Sequence, residues 1–595
     1  MRSTNFEWYP TNSSDKLRTI LNVNMSESKD LKVRDYSMKK WIQQNRYIIL
    51  LALIISISHF YVAFSSEGTI LNWYHNDDAY YYFKTAQNIS EGQGVTFDGV
   101  NPTNGFHPLW MLICIPIFAF ARINLILPLR LLILVQAILN IGTAILMFKT
   151  LKKYLSIEIS FTVSCFWVLT PSIFSTITVG GLESCLNAFS ITLLFYYLNV
   201  VINQKGNDQP PYRQSIQLGI IAAISVLSRL DNIFIAILVG IAFLLRHSKA
   251  TIKIAENNWG KTKNLIKVAF AYGLPVLLLV GAYLSWNIIR FGSPYPVSGL
   301  VKQWWGTLGE APYGRPSQTL EQIYQETFTS YERDISPFSY PYQVINETAV
   351  DINSFLAQFG LPSLIKGKYI YILLALVLMV DLQFVSKLIV ELNIIPLMIA
   401  CFIQIIYYKS SGHVAQRQWY WVMELYLIAL LVGLWIGVIS HKLRRVSKGK
   451  AVSIFLSVLL TLSIVVSHAS YIANLAATTN IEEPLIYHEV HWLEKKTETG
   501  SYIAMIAAGR VGYFVRDRTI VNIDGLINSM RYFRKLQNGE GADFLQSMDV
   551  EYVFGSKAWI EENPPYMNTF KGRLIPIAQY KYLGNSIILW RLVDN

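Results

Sequence analysis

The sequence predicts a polytopic α-helical membrane protein that carries a small α/β domain at its C-terminal end. Three observations lead there. Of 595 residues, 52% are hydrophobic and only 15% charged, and the mean hydropathy of +0.33 lies outside the range of soluble globular chains. Apolar runs long enough to span a bilayer recur from Tyr47 to Ala473. Beyond them the pattern shifts to short strand-like and amphipathic segments. The expected organisation is a basic cytoplasmic tail over residues 1–45, a membrane body over 46–476 and an extracytoplasmic α/β domain over 477–595. Within the body, a first outer loop runs over 65–107 and a long outer loop over 290–368.

Each element follows from the placement of charge. The tail carries Lys16, Arg18, Lys29, Lys32, Arg34, Lys39 and Lys40 before the first apolar run, which argues against a cleaved signal peptide and keeps the tail inside. Tyr47–Phe64 then exits, and Leu125–Phe148 returns to Lys152 and Lys153. Ile157–Val179 and Leu186–Ile202 form the next pair, ending at Lys205 and Arg213. Leu218–Leu227 and Ile233–Leu245 are short for a bilayer core of about 30 Å, so two crossings and one re-entrant hairpin both fit. Leu265–Ile289, Ile370–Val390, Leu392–Tyr408, Trp421–Ser440 and Ala451–Ala473 complete about eleven crossings with basic loops inside. Pro108–Ala121 fits this alternation as a helix lying at the outer surface.

In the last part, Leu485–Glu494 reads as a helix, and Ser501–Ala507, Thr519–Asn522 and Glu551–Gly555 as strands. Ser529–Met548 reads as one long helix. The four cysteines sit in or beside apolar runs without metal-ligand spacing, as expected of free buried thiols. The net charge of +12 is a topology signal here, and nucleic acid is not an expected partner.

The chemistry concentrates in the first outer loop. Asp77 and Asp78 follow the first span directly, and an ionisable pair at a bilayer boundary has a task more often than not. A helix over Asp77–Ile89, capped by Asn76 or Asp77, places Asp78, Tyr81, Tyr82 and Thr85 on one face. Glu91-Gly92-Gln93-Gly94 ends it. The turn Asn101–Pro108 then supplies the amide of Asn104 and the imidazole of His107, groups that suit a polyol. A helix cap for Asp77 and an aromatic belt for the tyrosines are the plain structural readings.

These residues carry a family resemblance. Asp77-Asp78-Ala79, Gly92-Gln93-Gly94 and Asn104-Gly105-Phe106-His107-Pro108-Leu109-Trp110 resemble, in order and spacing, the first outer loop of the GT-C superfamily of integral membrane glycosyltransferases. Within it the closest pattern is the arabinofuranosyltransferase-like and mannosyltransferase-like group. Weaker echoes follow at Gly181-Leu182-Glu183-Ser184, Ser228-Arg229-Leu230-Asp231, Phe291–Pro296, Gly509–Tyr513 and Asn522–Leu526. Leu230 stands where the group has proline, and Asn522 and Asp524 do not align cleanly on its terminal Asp.

The resemblance implies a polyprenyl-phosphate sugar donor, an inverting transfer to an extracytoplasmic glycan, lipid or protein acceptor, and a role in building cell-envelope glycan at the plasma membrane. Asp78 takes the place of the base, with Asp77 beside it. A carboxylate within reach of a sugar hydroxyl can take its proton in the transition state. The leaving lipid phosphate needs cationic or amide donors.

Candidates for the phosphate are Arg417, Arg290, Lys302 and His413. Arg417 comes first because guanidinium binds phosphate as a fork and Trp419 and Trp421 stand ready to pack a prenyl chain. Interfacial snorkelling is its plain alternative. Substrate-binding candidates are Tyr81, Tyr82, Asn104, His107 and Glu183, although Glu183 also reads as a solvated turn carboxylate. Arg229 and Asp231 read as a charge pair at a helix break. Trp304, Trp305 and Tyr313 suit either sugar or headgroup.

No metal-ligand set is visible, so no metal residue is assigned; a divalent cation bridging carboxylates and phosphate is chemically admissible. Two other classes stay open. A secondary transporter predicts inverted repeats and midplane charges, which the sequence does not display. A non-catalytic envelope-assembly protein would share nearly every feature.

Overall fold

The computed structural model describes residues 42–202, 212–251, 258–309, 313–359, 362–477, 484–582 and 585–594. The basic tail up to residue 41, Lys205 and Lys253 lie outside them. The helical part begins with α1 (Ile42–Ala63), α2 (Glu67–Trp73), α3 (Asp77–Ser90), α4 (Pro108–Phe118) and α5 (Leu127–Leu151). Next come α6 (Ile157–Leu169), α7 (Pro171–Ile177), α8 (Ser184–Ile202), α9 (Tyr212–Ser228), α10 (Ile233–Thr251) and α11 (Asn258–Phe291). It continues through α12 (Val297–Trp305), α13 (Leu320–Phe328), α14 (Ser339–Ala357), α15 (Gly367–Met379) and α16 (Leu382–Glu391). It ends with α17 (Ile394–Ser410), α18 (Val422–Leu443) and α19 (Gly449–Ala477).

This is a multi-pass helical membrane protein. Among the described residues, six helices are long and apolar enough to cross a membrane: α1, α5, α8, α11, α18 and α19. Two bent pairs, α6–α7 at 53° and α15–α16 at 89°, raise that to eight if each is one span. The proline opening α7 lacks the N–H that would continue α6, which accounts for the first bend. At the second, Asp381 caps α16 through Phe384 N and pairs with His441 and Lys442 at 2.9 and 3.3 Å. The expected count of about eleven included α9, α10 and α17, which are not in this set; α9 and α17 are 17 residues long, short of the 18 that a span needs here. At 1.5 Å per residue the eleven residues of α4 reach about 16 Å, half a bilayer core.

The C-terminal part comprises α20 (Leu485–Lys496), β1 (Tyr502–Met505), α21 (Gly509–Phe514), β2 (Thr519–Asn522), α22 (Met530–Gln537) and α23 (Gly541–Gln546). It closes with β3 (Val550–Gly555), α24 (Lys557–Ile560), α25 (Tyr566–Phe570), β4 (Leu574–Tyr582) and β5 (Asn585–Leu592). The sheet order is β2-β1-β3-β5-β4, with β1 parallel to β2 and β3 and the β4–β5 hairpin antiparallel. One expectation is corrected. Ser529–Met548 is two helices, because Asn538 caps α22 and Gly539 turns the chain at φ 77°, a conformation that ends a helix. The hairpin was not anticipated, since Pro576 interrupts the apolar alternation; β4 tolerates it as an edge strand.

The two parts share one apolar core. Tyr80 of α3 meets Tyr513 and Phe514 of α21 at 5.6 and 5.8 Å between ring centroids, and Phe83 stacks on Phe118 of α4 at 4.6 Å. Their approach requires glycine at one point. A Cβ on Gly509 would meet the backbone oxygen of Asp77 at 2.2 Å, well inside van der Waals contact.

Candidate active site

Asp77 and Asp78 are consecutive in the first turn of α3, and their side chains have different fates. The Asp77 carboxylate accepts the backbone N–H groups of Gly509 at 2.9 Å and Arg510 at 2.7 Å. It therefore clamps α21 of the C-terminal part onto α3. Asp78 is half-exposed and makes no hydrogen bond or ion pair with any described residue.

Asp78 lies on a wall shared by two cavities. The first, about 570 Å³, is framed by α3, α10, α12, α17 and the turns that bear His107, Glu183 and Arg229. Its lining includes the aromatic side chains of Phe234, Tyr295 and Tyr407, of which Tyr295 is 61% exposed. The second, about 650 Å³, opens between α12 and the C-terminal part, where Trp305, Tyr313, Trp559 and Tyr580 alternate with Glu489, Arg510 and Asp524. Asp78, Tyr81, Lys302 and Leu526 border both. Aromatic faces interleaved with a few polar groups are what a polyol ligand needs.

The floor of the first cavity is a buried charge network. Arg229 donates to Glu183 at 2.6 Å and to Asp231 at 2.9 Å. Tyr82 donates to the second Glu183 oxygen at 3.0 Å, and Tyr408 to Asp231 at 2.7 Å. The Arg229 guanidinium also lies 4.9 Å from the centre of the Tyr420 ring, a cation–π distance. Glu183 is only 2% exposed, which corrects its reading as a solvated turn carboxylate; Arg229 supplies the charge that permits burial. Arg229 and Asp231 do pair, at the short helical turn between α9 and α10.

The cationic candidates separate by position. Lys302 is 7% exposed, with its Nζ 2.6 Å from the Tyr420 hydroxyl and 3.2 Å from the Ala415 carbonyl. No carboxylate among the described residues pairs with it. Two of its N–H groups are engaged by neutral acceptors, which leaves one to donate to a further acceptor. Arg417 borders only the second cavity and is paired with Asp334 at 2.8 Å, although it lies within electrostatic reach of Asp78. Trp419 lines the first cavity, whereas Trp421 is buried against Tyr408. His413 lines the first cavity with its Nδ1 bonded to Ser411 at 2.8 Å. Arg290 is exposed and borders neither.

Among the substrate candidates, Tyr81 donates to Asp524 at 2.8 Å while accepting from Asn522 at 3.1 Å. Asn104 is fully engaged: its amide holds Tyr295 O at 3.2 Å and Val297 N at 3.0 Å, so it sets the start of α12. His107 lines the first cavity with Nε2 3.6 Å from Glu183, and its Nδ1 is buried without a partner. Burial lowers its pKa against the pull of Glu183, favouring neutral imidazole. No three His, Cys, Asp or Glu side chains among the described residues converge as metal ligands, and the Asp77 carboxylate is engaged by the N–H groups of Gly509 and Arg510. The four cysteines are free and buried.

Burial at the α3–α21 junction pushes the Asp77 carboxyl up to about 6, against the pull of the two N–H donors. A carboxyl whose folded pKa exceeds its unfolded value of about 3.9 contributes stability that is complete below that value and is lost as pH rises through about 6. The melting temperature of the wild type relative to Asp77→Asn is therefore expected to fall between pH 4 and pH 7 in differential scanning fluorimetry. A difference that does not change with pH would contradict this ionisation.

Glu489 and Tyr408 escaped sequence reasoning as site residues. Glu489, whose carboxyl burial raises to about 7, sits in an ordinary amphipathic helix, and nothing local marks it. The Asn522–Leu526 run was visible as a motif, but its contact with Tyr81 spans more than four hundred positions.

The family model that matches is described as "Domain of unknown function (DUF8728)" and covers residues 474–590, the C-terminal part. None of the curated proteins matches the chain. Among solved structures, the chain is similar to ArnT from Cupriavidus metallidurans bound to undecaprenyl phosphate, at 9% identity over 92% of this chain and 98% of that one, with a TM-score of 0.49. It is also similar to the oligosaccharyltransferase AglB from Archaeoglobus fulgidus in complex with an inhibitory peptide and a dolichol-phosphate, at 13% identity over 92% and 74%, with a TM-score of 0.47. The Archaeoglobus fulgidus oligosaccharyltransferase tethered with an acceptor peptide gives 12% identity, 93% and 75% coverage and a TM-score of 0.48.

Proposed function

We propose that this chain is a membrane glycosyltransferase that moves a sugar from a polyprenyl-phosphate donor to an extracytoplasmic acceptor, with inversion at the anomeric carbon. The observation that carries this reading is the unpartnered Asp78 carboxylate on the wall between two cavities. The motif order around it, from Asp77-Asp78-Ala79 to Trp110, supports the GT-C assignment and its arabinofuranosyl- and mannosyl-transferring group.

In this reading the first cavity holds the donor. Its prenyl chain leaves past Phe234, Tyr295 and Tyr407, and its phosphate meets Lys302 with His413 beside it. The second cavity holds the acceptor. Asp78 removes the proton from the acceptor hydroxyl as that oxygen bonds to the anomeric carbon, and the carbon–oxygen bond to phosphate breaks. The prenyl phosphate departs with the bond's electron pair, its charge met by the Lys302 ammonium. Displacement in one step inverts the centre. Asp77 positions Asp78 by fastening α21, and Tyr82, Glu183 and Arg229 shape the donor side. The catalytic cavities and the C-terminal part lie on the extracytoplasmic face of the plasma membrane.

The test is transfer by the purified protein in lipid nanodiscs, using polyprenyl-phosphate arabinofuranose, mannose and glucose carrying a radiolabelled sugar, with envelope lipid extract as acceptor. Release of polyprenyl phosphate with label in the acceptor is expected. Lys302→Met is expected to raise the donor KM by about 10-fold or more, since one charge-assisted contact to phosphate is worth roughly 1.5–3 kcal/mol. No turnover with any donor, together with no donor binding, would refute the reading.

A further inference from the structure

The segment between α12 and α15, a long outer loop by sequence, contains two helices with exposed apolar stripes. On α13, Leu320, Tyr324 and Phe328 stand at intervals of four and are all exposed, Leu320 by 80%. On α14, Val344, Ile352 and Phe355, continued by Phe359 just past its end, fall on one side of the helix and are likewise exposed. Thr327 of α13 and Ile345 and Ala349 of α14 are buried beside the stripes.

Two features say what covers the stripes. Helix α14 packs against α15, the first half of a candidate span, whose Ile372, Leu373 and Leu376 are exposed in the same way. Exposed apolar side chains are thus carried both by these helices and by the candidate span beside them. The junction is also rich in tyrosine: Tyr331 meets Tyr342 at 4.9 Å, and Tyr371, near the start of α15, lies within reach of Tyr324, Tyr331 and Tyr342. Tyrosine gathers at the headgroup level, where ring and hydroxyl meet different media.

We propose that α13 and α14 lie in the bilayer interface, their apolar stripes seated in the leaflet that α15 enters. The anchored pair braces the active site. Glu326 of α13 pairs with the buried Lys409 at 2.9 Å, and Asp334 pairs with Arg417 while accepting Gln418 N and Trp421 Nε1. These bonds fix the strand of chain from 409 to 421, whose Ala415 carbonyl holds Lys302.

The test uses full-length protein in nanodiscs of phosphatidylethanolamine and phosphatidylglycerol. The native cysteines are buried, so an environment-sensitive fluorophore reports on Phe328→Cys, Phe355→Cys or the polar-side control Glu347→Cys. Positions 328 and 355 are expected to be quenched about fivefold less by iodide than position 347, and strongly by doxyl-labelled lipid. Tyr324→Cys and Phe359→Cys provide the same reading if either first variant fails to fold. Iodide access at the stripes equal to that at 347 would overturn the proposal. Protection from iodide without quenching by doxyl lipid would also overturn it, by showing a second copy or another protein on the stripes.

Discussion

Asp78→Asn is expected to lower the rate of sugar transfer by about 10²–10⁴-fold, the usual contribution of a positioned general base, while donor binding and thermal stability persist. Stability should hold because the Asp78 carboxylate makes no hydrogen bond or ion pair among the described residues, and such substitutions change stability by roughly 0.5 kcal/mol or less. The amide keeps shape and size but cannot take a proton. Single-turnover measurement of label transfer, beside a melting curve and donor titration, separates these effects. Full turnover by the variant would remove Asp78 from the base role. Lost turnover with lost donor binding would instead mark it as a donor contact.

Arg229→Met should have the largest effect on stability. Arg229 is 2% exposed and lies between Glu183 and Asp231; removing it leaves two buried carboxylates without their cation. Breaking a buried pair on one side costs about 3–5 kcal/mol, enough to consume much of a domain's margin. Reduced yield of folded protein and a lower melting temperature are expected. Adding Glu183→Gln and Asp231→Asn to Arg229→Met should restore part of that stability, because the orphaned charges disappear with it. If the triple variant is no more stable than the single one, packing of the guanidinium on Tyr420 outweighs charge.

How far the sequence could be read depended on the range of the interactions involved. The helix from Asp77 and its end at Glu91 follow from local period and the glycines after it, and α3 runs over Asp77–Ser90, but the expected side-chain cap is not made: Asn76 forms no cap hydrogen bond and the Asp77 carboxylate accepts from Gly509 and Arg510 instead. The strands at 502–505 and 519–522 were legible for the same reason. The two adjacent aspartates could not be told apart, because both satisfy the same local rule for a helix start. Only the approach of Gly509 and Arg510, far along the chain, engages one and leaves the other open. Phosphate candidates show the same limit: Arg417 had the better local chemistry, but Asp334 pairs with it, whereas Lys302 is buried without a carboxylate partner among the described residues.

The chain's composition and periodicity alone determined that it is a multi-helix membrane protein with an α/β segment after the last apolar run. Hydropathy and helix capping are properties of neighbouring residues, so they can be read along a line. The tertiary structure decided which carboxylate stays free, which cation stays unpaired, and that Glu183 is buried with Arg229. Burial and charge pairing depend on residues brought together from hundreds of positions apart, and the free energy of a side chain is set by those neighbours in space.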